Sequence, residues 1–273
     1  MNHVAILGVG LIGGSFALAI RKAGFPGTIT GVSSAPALEE ALQLGIIDRA
    51  VALEDAVPDA DLIYLAQPIG RILHSLALVD AHVKPGALIT DAGSTKQAIV
   101  TEARRAVVRG RFLGGHPLAG KETRGAAAAE ADLFHGRPYV LTPADPAEID
   151  APFLEMLNSI GARPVILGAA EHDRLVAASS HLPQLASTAL AALLAQEFPD
   201  VAQVAGPGLV DATRLALSSY DLWRDIVATN TASIDEALAG YIQKLEHIRE
   251  NLRTRQLQEE FALAGQFARS LRQ

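Results

Sequence analysis

Val4-Ala-Ile-Leu-Gly8-Val-Gly10-Leu-Ile-Gly13-Gly-Ser15 opens the chain, and its reading decides the fold. Four apolar residues make a buried strand, the glycines turn the chain, and the run from Leu11 starts a helix. Each glycine has its own task at this spacing: Gly8 permits the tight turn, Gly10 lets a ligand approach the backbone, and Gly13 lets helix and strand lie close. The first helical turn, at Leu11 and Ile12, offers unbonded N–H groups and the positive end of the helix dipole to an anion. The stretch therefore reads as the pyrophosphate cradle of a dinucleotide. Residues 4–20 carry no charge, so a targeting or membrane segment has to be weighed as well. A signal peptide wants positive charge ahead of its apolar core, whereas Arg21 and Lys22 come after it. A spanning helix wants ~20 residues and would not carry four glycines in one half. A soluble cytoplasmic protein is expected.

Outward from this stretch, short apolar runs alternate with helical patterns. Strands are predicted at 4–7, 28–32, 62–66, 87–90, 112–114, 139–141 and 164–167, with helices at 11–23, 36–44 and 70–81 among those between them. That alternation predicts a parallel sheet with crossover helices. Near Gly168 the pattern changes to Ala and Leu at helical spacing. Ile234, Leu238, Tyr241, Ile242, Leu245, Ile248 and Leu252 form one apolar stripe. The expected architecture is an α/β Rossmann-type domain over 1–168 and an all-α dimerisation domain over 169–273. The helical part alone would make a poor core, so a homodimer is expected.

The 273 residues are 49% apolar and 19% charged, with 23 basic against 30 acidic side chains and a formal charge of −7. A mean hydropathy of +0.23 excludes a disordered chain. The absence of cysteine excludes disulfides, thiolate metal sites and a cysteine nucleophile. Acidity argues against nucleic acid as partner. A small-molecule substrate is expected, with no metal.

The end of the second predicted strand bears on the choice of dinucleotide. An NAD-binding fold places a carboxylate ~20 residues past the last fingerprint glycine, to bind the ribose 2′-hydroxyl. Ser33 stands there, followed by Ser34. A serine tolerates a 2′-phosphate that a carboxylate would repel, so the reading leans to NADP over NAD. No Lys or Arg lies between Lys22 and Arg49, and Arg71 is the cation expected to assist. The competing reading is that the serines only turn the chain.

Three segments concentrate polar residues within apolar surroundings. They are Asp91-Ala-Gly93-Ser94-Thr-Lys96, Gly114-Gly-His116-Pro-Leu-Ala-Gly120, and His172-Asp173 with Ser179-Ser180-His181-Leu-Pro-Gln184. The first two follow predicted strands, whose carboxyl ends converge on the ligand crevice in open α/β sheets. This puts Gly93 beside the cofactor and His116 near the nicotinamide, with Ser94 expected to hydrogen-bond His116.

The chain resembles the prephenate/arogenate dehydrogenase family of tyrosine biosynthesis, through residues 8–15, 91–96, 114–120, 172–183, Asp211-Ala-Thr-Arg214, Trp223 and Asp225-Ile226. The resemblance implies NAD(P)-dependent hydride removal from a cyclohexadienol, with loss of CO2 as the ring aromatises. It implies that His116 is the base taking the hydroxyl proton, with Ser94 orienting donor and acceptor. It makes Arg214 the carboxylate-binding arginine, and places His172, Ser180 and His181 in the pocket. A neutral imidazole with a pKa near ~6.5 suits such a base. The chain's end at Gln273 implies a catalytic core without a regulatory domain or fused mutase. Where the family often has His-Leu-Pro-His, this chain has Gln184, at the position facing the substrate side chain. That leaves prephenate and arogenate both open. Blander roles are a helix cap for His172, packing for Trp223, and an ion pair with Asp211 for Arg214. Two other functions compete with this reading: a β-hydroxyacid-type reductase using Lys96 or Lys121, and a non-catalytic NADP-sensing module.

Overall fold

The computed structural model describes residues 1–121, 123–145, 149–254 and 256–272. Its first part runs β1 (His3–Leu7), α1 (Leu11–Lys22), β2 (Thr28–Val32), α2 (Ala35–Gln43), β3 (Arg49–Ala50) and α3 (Leu53–Ala56). It continues through β4 (Leu62–Leu65), α4 (Ile69–His82), β5 (Leu88–Asp91), α5 (Gln97–Ala106), β6 (Arg111–Pro117), β7 (Pro138–Thr142), α6 (Ala151–Ser159) and β8 (Arg163–Ile166). These strands form one sheet in the order β3-β2-β1-β4-β5-β6-β7-β8.

Alternation along the central strands fills both faces of the sheet. Val4 and Ile6 of β1, with Leu62 and Tyr64 of β4, join one core with Phe16 of α1. Ala5, Leu7, Ile63 and Leu65 point the other way, into a core with Ile72 and Leu76 of α4 and Ile99 of α5. Burial on both faces explains why these strands read as unbroken apolar runs. The Phe16 ring stacks on Tyr64 at 4.0 Å, and the Tyr139 hydroxyl donates to the Tyr64 hydroxyl at 3.1 Å.

The sheet is not wholly parallel, which corrects the sequence expectation. β7 runs antiparallel to β6, and β8 runs parallel to β7. Between β6 and β7 the described chain forms only a 3-10 turn at Ala126–Ala128, so no crossover helix carries it to the opposite end of the sheet. The two-residue β3, absent from the predicted strands, is too short to show a period.

After β8 the described elements are helical: α7 (Ala169–Val176), α8 (Leu182–Glu197), α9 (Pro207–Thr213), α10 (Tyr220–Thr229), α11 (Thr231–Glu250) and α12 (Leu257–Ser270). A π-helical turn at Ala177–His181 joins α7 to α8. Ile226 and Trp223 of α10 pack onto the core beneath α4 and α5. Asp225 Oδ2 accepts the Gly70 N–H at the start of α4 at 2.9 Å. Farther out, Phe261, Leu263 and Phe267 of α12 are exposed by 64–75%, and none of α12 is buried. Among the described residues, no helix is long and apolar enough to cross a membrane.

Candidate active site

The glycine turn after β1 separates structural from ligand-related requirements. Gly8 has φ +94°, and a Cβ there would lie 2.3 Å from the Ala66 carbonyl oxygen. A Cβ at Gly13 would lie 2.1 Å from the Gly8 oxygen. The chain's own packing therefore requires both. Gly10 differs, since a Cβ there would meet no protein atom within 4 Å. Gly10 also starts α1 without a capping side chain, and no acidic residue lies in the first turn at Leu11, Ile12 and Gly13. The cradle is open on the side where an anion would approach, so these residues fit a dinucleotide pyrophosphate. Ser33 is half-buried just past β2, and Ser34 starts α2 without using its hydroxyl as a cap. Arg71 is exposed in the first turn of α4, which follows β4 on the other side of β1.

β5 and β6 pair only as far as Thr90 and Leu113, and beyond that point side chains replace the ladder. Asp91 Oδ1 accepts the Gly115 N–H at 3.1 Å, and Lys96 Nζ donates to the Gly115 carbonyl at 2.7 Å. Lys96 also pairs with Asp91, and both side chains are fully buried. Asp91 Oδ2 further accepts the Gly93 N–H at 2.8 Å, which curls the 91–96 loop around the carboxylate. Burial pushes the Lys96 ammonium down, against the pull of Asp91. The arrangement grips the backbone of Gly115, next to His116.

His116 is buried, and its Nδ1 lies 2.8 Å from His172 Nε2. His172 Nδ1 lies 2.7 Å from Asp173 Oδ1. Asp173 in turn accepts the Lys96 N–H on Oδ1 at 2.7 Å and the Gln97 N–H on Oδ2 at 2.9 Å, at the start of α5. Asn230 Nδ2 donates to the Asp173 carbonyl at 2.8 Å and lies 3.3 Å from His181 Nδ1. His181 packs edge-on to Trp223 with ring centroids 5.7 Å apart. Burial first, then His172, Lys96 and His181, holds the His116 pKa well below the ordinary 6.5. This corrects the expectation of an ordinary value. Burial likewise lowers His181 to about 4, with Asp173 opposing.

Several expected positions come together and others do not. His116, His172 and His181 gather around Asp173 and Asn230, so the His172 ring bridges His116 and Asp173 and does not merely cap its helix. Ser94 is half-buried and makes no hydrogen bond to His116, whose Nδ1 meets His172. Ser180 is exposed. Gln184 is buried, and its Nε2 donates to the Leu215 carbonyl at 2.8 Å and to Thr188 at 3.2 Å. The amide thus anchors the 3-10 turn Arg214–Leu217, and Ser187 Oγ takes the Ala216 N–H at 3.2 Å. Arg214 itself is exposed. The roles of Lys96 and Lys121 weigh against the reductase alternative, since Lys96 is sealed in with Asp91 and Lys121 pairs with Glu130.

Residues 16–166 match the family model described as prephenate dehydrogenase, nucleotide-binding domain, and residues 168–269 match prephenate dehydrogenase, dimerization domain. The chain belongs to the prephenate dehydrogenase family. Within that family it is 36% identical, over 256 residues, to the prephenate dehydrogenase of Lactococcus lactis, covering 91% of this chain and 70% of the relative. The Aquifex aeolicus prephenate dehydrogenase, solved with hydroxyphenyl propionate and NAD+, superposes with a TM-score of 0.87 at 30% identity, covering 100% of this chain and 97% of that one. The Synechocystis arogenate dehydrogenase gives a TM-score of 0.82 at 31% identity, covering 98% of each chain.

Proposed function

We propose that this member of the prephenate dehydrogenase family converts prephenate to 4-hydroxyphenylpyruvate by oxidative decarboxylation. The observation that carries the reading is the buried His116 at the carboxyl edge of the sheet that also bears the open glycine cradle. His116 takes the proton of the ring hydroxyl as C4 loses hydride. The bond to the ring carboxylate then breaks and CO2 leaves; its electron pair completes the aromatic ring and places the charge on the C4 oxygen, which takes the proton back from His116. A bound nicotinamide nucleotide supplies the hydride acceptor. Arg214 holds a substrate carboxylate, for which a guanidinium offers a two-pronged donor, and His172, His181 and Gln184 line or support the same pocket. Ser94 and Gly93 border it from the β5 loop.

NADP is the preferred nucleotide in this reading. Support comes from the serine hydroxyls at 33 and 34, where a carboxylate would repel a 2′-phosphate, and Arg71, exposed at the start of α4, is the cation this reading assigns to it. A division at about residue 168 and a homodimer formed through the helical part belong to the same proposal. They draw on the match to the family's dimerization domain. A cytoplasmic setting goes with the nucleotide pool such an enzyme uses.

A second reading, arogenate as substrate, draws on Gln184. Its amide N–H groups are taken by Leu215 and Thr188, which leaves the carbonyl oxygen as its remaining polar atom. An acceptor suits an ammonium better than a keto group. Following reduced nucleotide by absorbance with prephenate or arogenate, each with NAD or NADP, decides the matter. Prephenate with NADP should give the highest kcat/KM. Faster turnover of arogenate favours the second reading, and no turnover in any pairing defeats both.

A further inference from the structure

Asp173 is set in a wholly donating environment. Its Oδ1 accepts the Lys96 N–H and its Oδ2 the Gln97 N–H, at the positive end of α5. An ionised carboxylate there has only acceptors to offer. His172 Nδ1, at 2.7 Å from Oδ1, must therefore carry a proton and donate it. A neutral His172 then has its lone pair on Nε2, which faces His116 Nδ1 at 2.8 Å. The direction of that bond follows: His116 donates from Nδ1, and its own lone pair is left on Nε2.

We propose that His172 and Asp173 are positioning residues that hold His116 in the Nδ1-protonated tautomer, so that Nε2 alone is ready to accept the substrate proton. The proposal rests on the reading of His116 as the base. The charged and titratable groups around the base are Lys96 with its partner Asp91 on the β5–α5 side, His172 and Asp173 on α7, and His181 on the π turn. Lys96 disfavours positive charge on His116. The hydrogen-bonded line through His172 offsets this, since a proton taken at Nε2 turns His116 into an imidazolium whose Nδ1–H still points toward a carboxylate two links away. This arrangement follows the logic by which a buried aspartate sets the tautomer of a catalytic histidine in the Ser-His-Asp triad, with a second histidine, His172, interposed between the aspartate and the base.

The test combines ring-nitrogen NMR with two substitutions at His172. In the full-length protein labelled with 15N-histidine, with the His116 signals identified by their loss in His116→Asn, the neutral ring should show a protonated Nδ1 and a bare Nε2. The reverse pattern overturns the proposal whatever the kinetics show. His172→Gln keeps a carbonyl acceptor for His116 and should retain kcat for prephenate within about tenfold. His172→Leu removes the acceptor and should lower kcat about 10²-fold, the scale of losing a correctly protonated base, with KM for nucleotide unchanged. Equal losses in the Gln and Leu variants, both still folded by thermal melting, would also overturn it. If the tautomer is as described but His116→Asn turns over at the parental rate, it is the identification of the base that fails, and the tautomer relay stands.

Discussion

Burial resists the protonation of His116, and so do two further imidazoles and the buried ammonium of Lys96. The neutral ring is the form that can accept a proton, so a depressed pKa extends the active range toward acid. We expect kcat/KM to rise with pH through an inflection below 6.5, the ordinary histidine value. A pH profile with its inflection at or above 6.5 would show the site to be wetter than its burial implies. His116→Asn should lower kcat by roughly 10²–10⁴ while the nucleotide dissociation constant stays unchanged. Arg214→Ala should act on the other parameter. Losing a hydrogen-bonded charge pair with a substrate carboxylate costs ~1.5–3 kcal/mol, so KM for the dienol should rise roughly 10- to 150-fold. An unchanged KM would remove Arg214 from the pocket. At this scale the sequence was legible where residues stood in motifs after strands. His116 meets His172, and Gln184 meets Leu215 and Thr188, none of them partners the motifs suggested; Asp173 stands in a motif that gave it no role of its own, and Asn230 stands in none. Asp173 meets donors 76 and 77 residues away, and Asn230 reaches it across 57, separations that leave no local trace. Ser94 lies in the loop that the Asp91 carboxylate curls, and the ring neighbour of His116 Nδ1 is His172, which no local pattern marks as its partner.

At the scale of elements, the β1–α1 turn offers a contrast within one motif. A methyl group at Gly13 would collide with backbone, where no side chain can move aside. Gly13→Ala should therefore cost about 1–3 kcal/mol in stability, toward the upper end because the clash is with rigid backbone. A methyl group at Gly10 projects into open space. Gly10→Ala should change stability by only about 1 kcal/mol, the order of exchanging one N-cap residue for a poorer one, yet weaken nucleotide binding at least tenfold. Thermal melting and nucleotide titration on the two variants would read these effects separately. Equal melting temperatures and equal affinities would mean that the turn holds no ligand. The same turn explains why so much of the sheet could be read in advance: doubly buried strands are apolar without interruption, and glycine punctuation marks where they end. The reversal at β7 could not be read that way. Strand direction depends on whether the connection crosses the sheet, and the residues between β6 and β7 carry neither a helical stripe nor a hairpin turn. β3, at two residues, has no period to detect.

For the molecule as a whole, the imbalance between its two parts is informative. The sheet domain seals two apolar layers, whereas α11 and α12 leave Ile242, Leu245, Phe261, Leu263 and Phe267 exposed by 47–75%. Single exposed apolar side chains are ordinary, but a run of them along two consecutive helices is a surface that water penalises. Full burial of each such side chain contributes about 1.5–3 kcal/mol, so five together can exceed the lower range of the ~4–15 kcal/mol cost of association. A two-fold axis uses the same patch on both copies, and each substitution there acts twice. The chain should therefore sediment as a dimer. Leu245→Asp and Phe267→Asp should each shift it toward monomer, by placing two unpaired carboxylates in one apolar contact. Leu42→Asp is the control: Leu42 is 43% exposed but lies on α2 in the sheet domain, so the dimer should persist. Sedimentation velocity across a concentration series measures all three. If Leu245→Asp and Phe267→Asp remain dimeric at the concentrations where the parent does, the apolar surface of α11 and α12 does not form the contact, and the copies meet through another face.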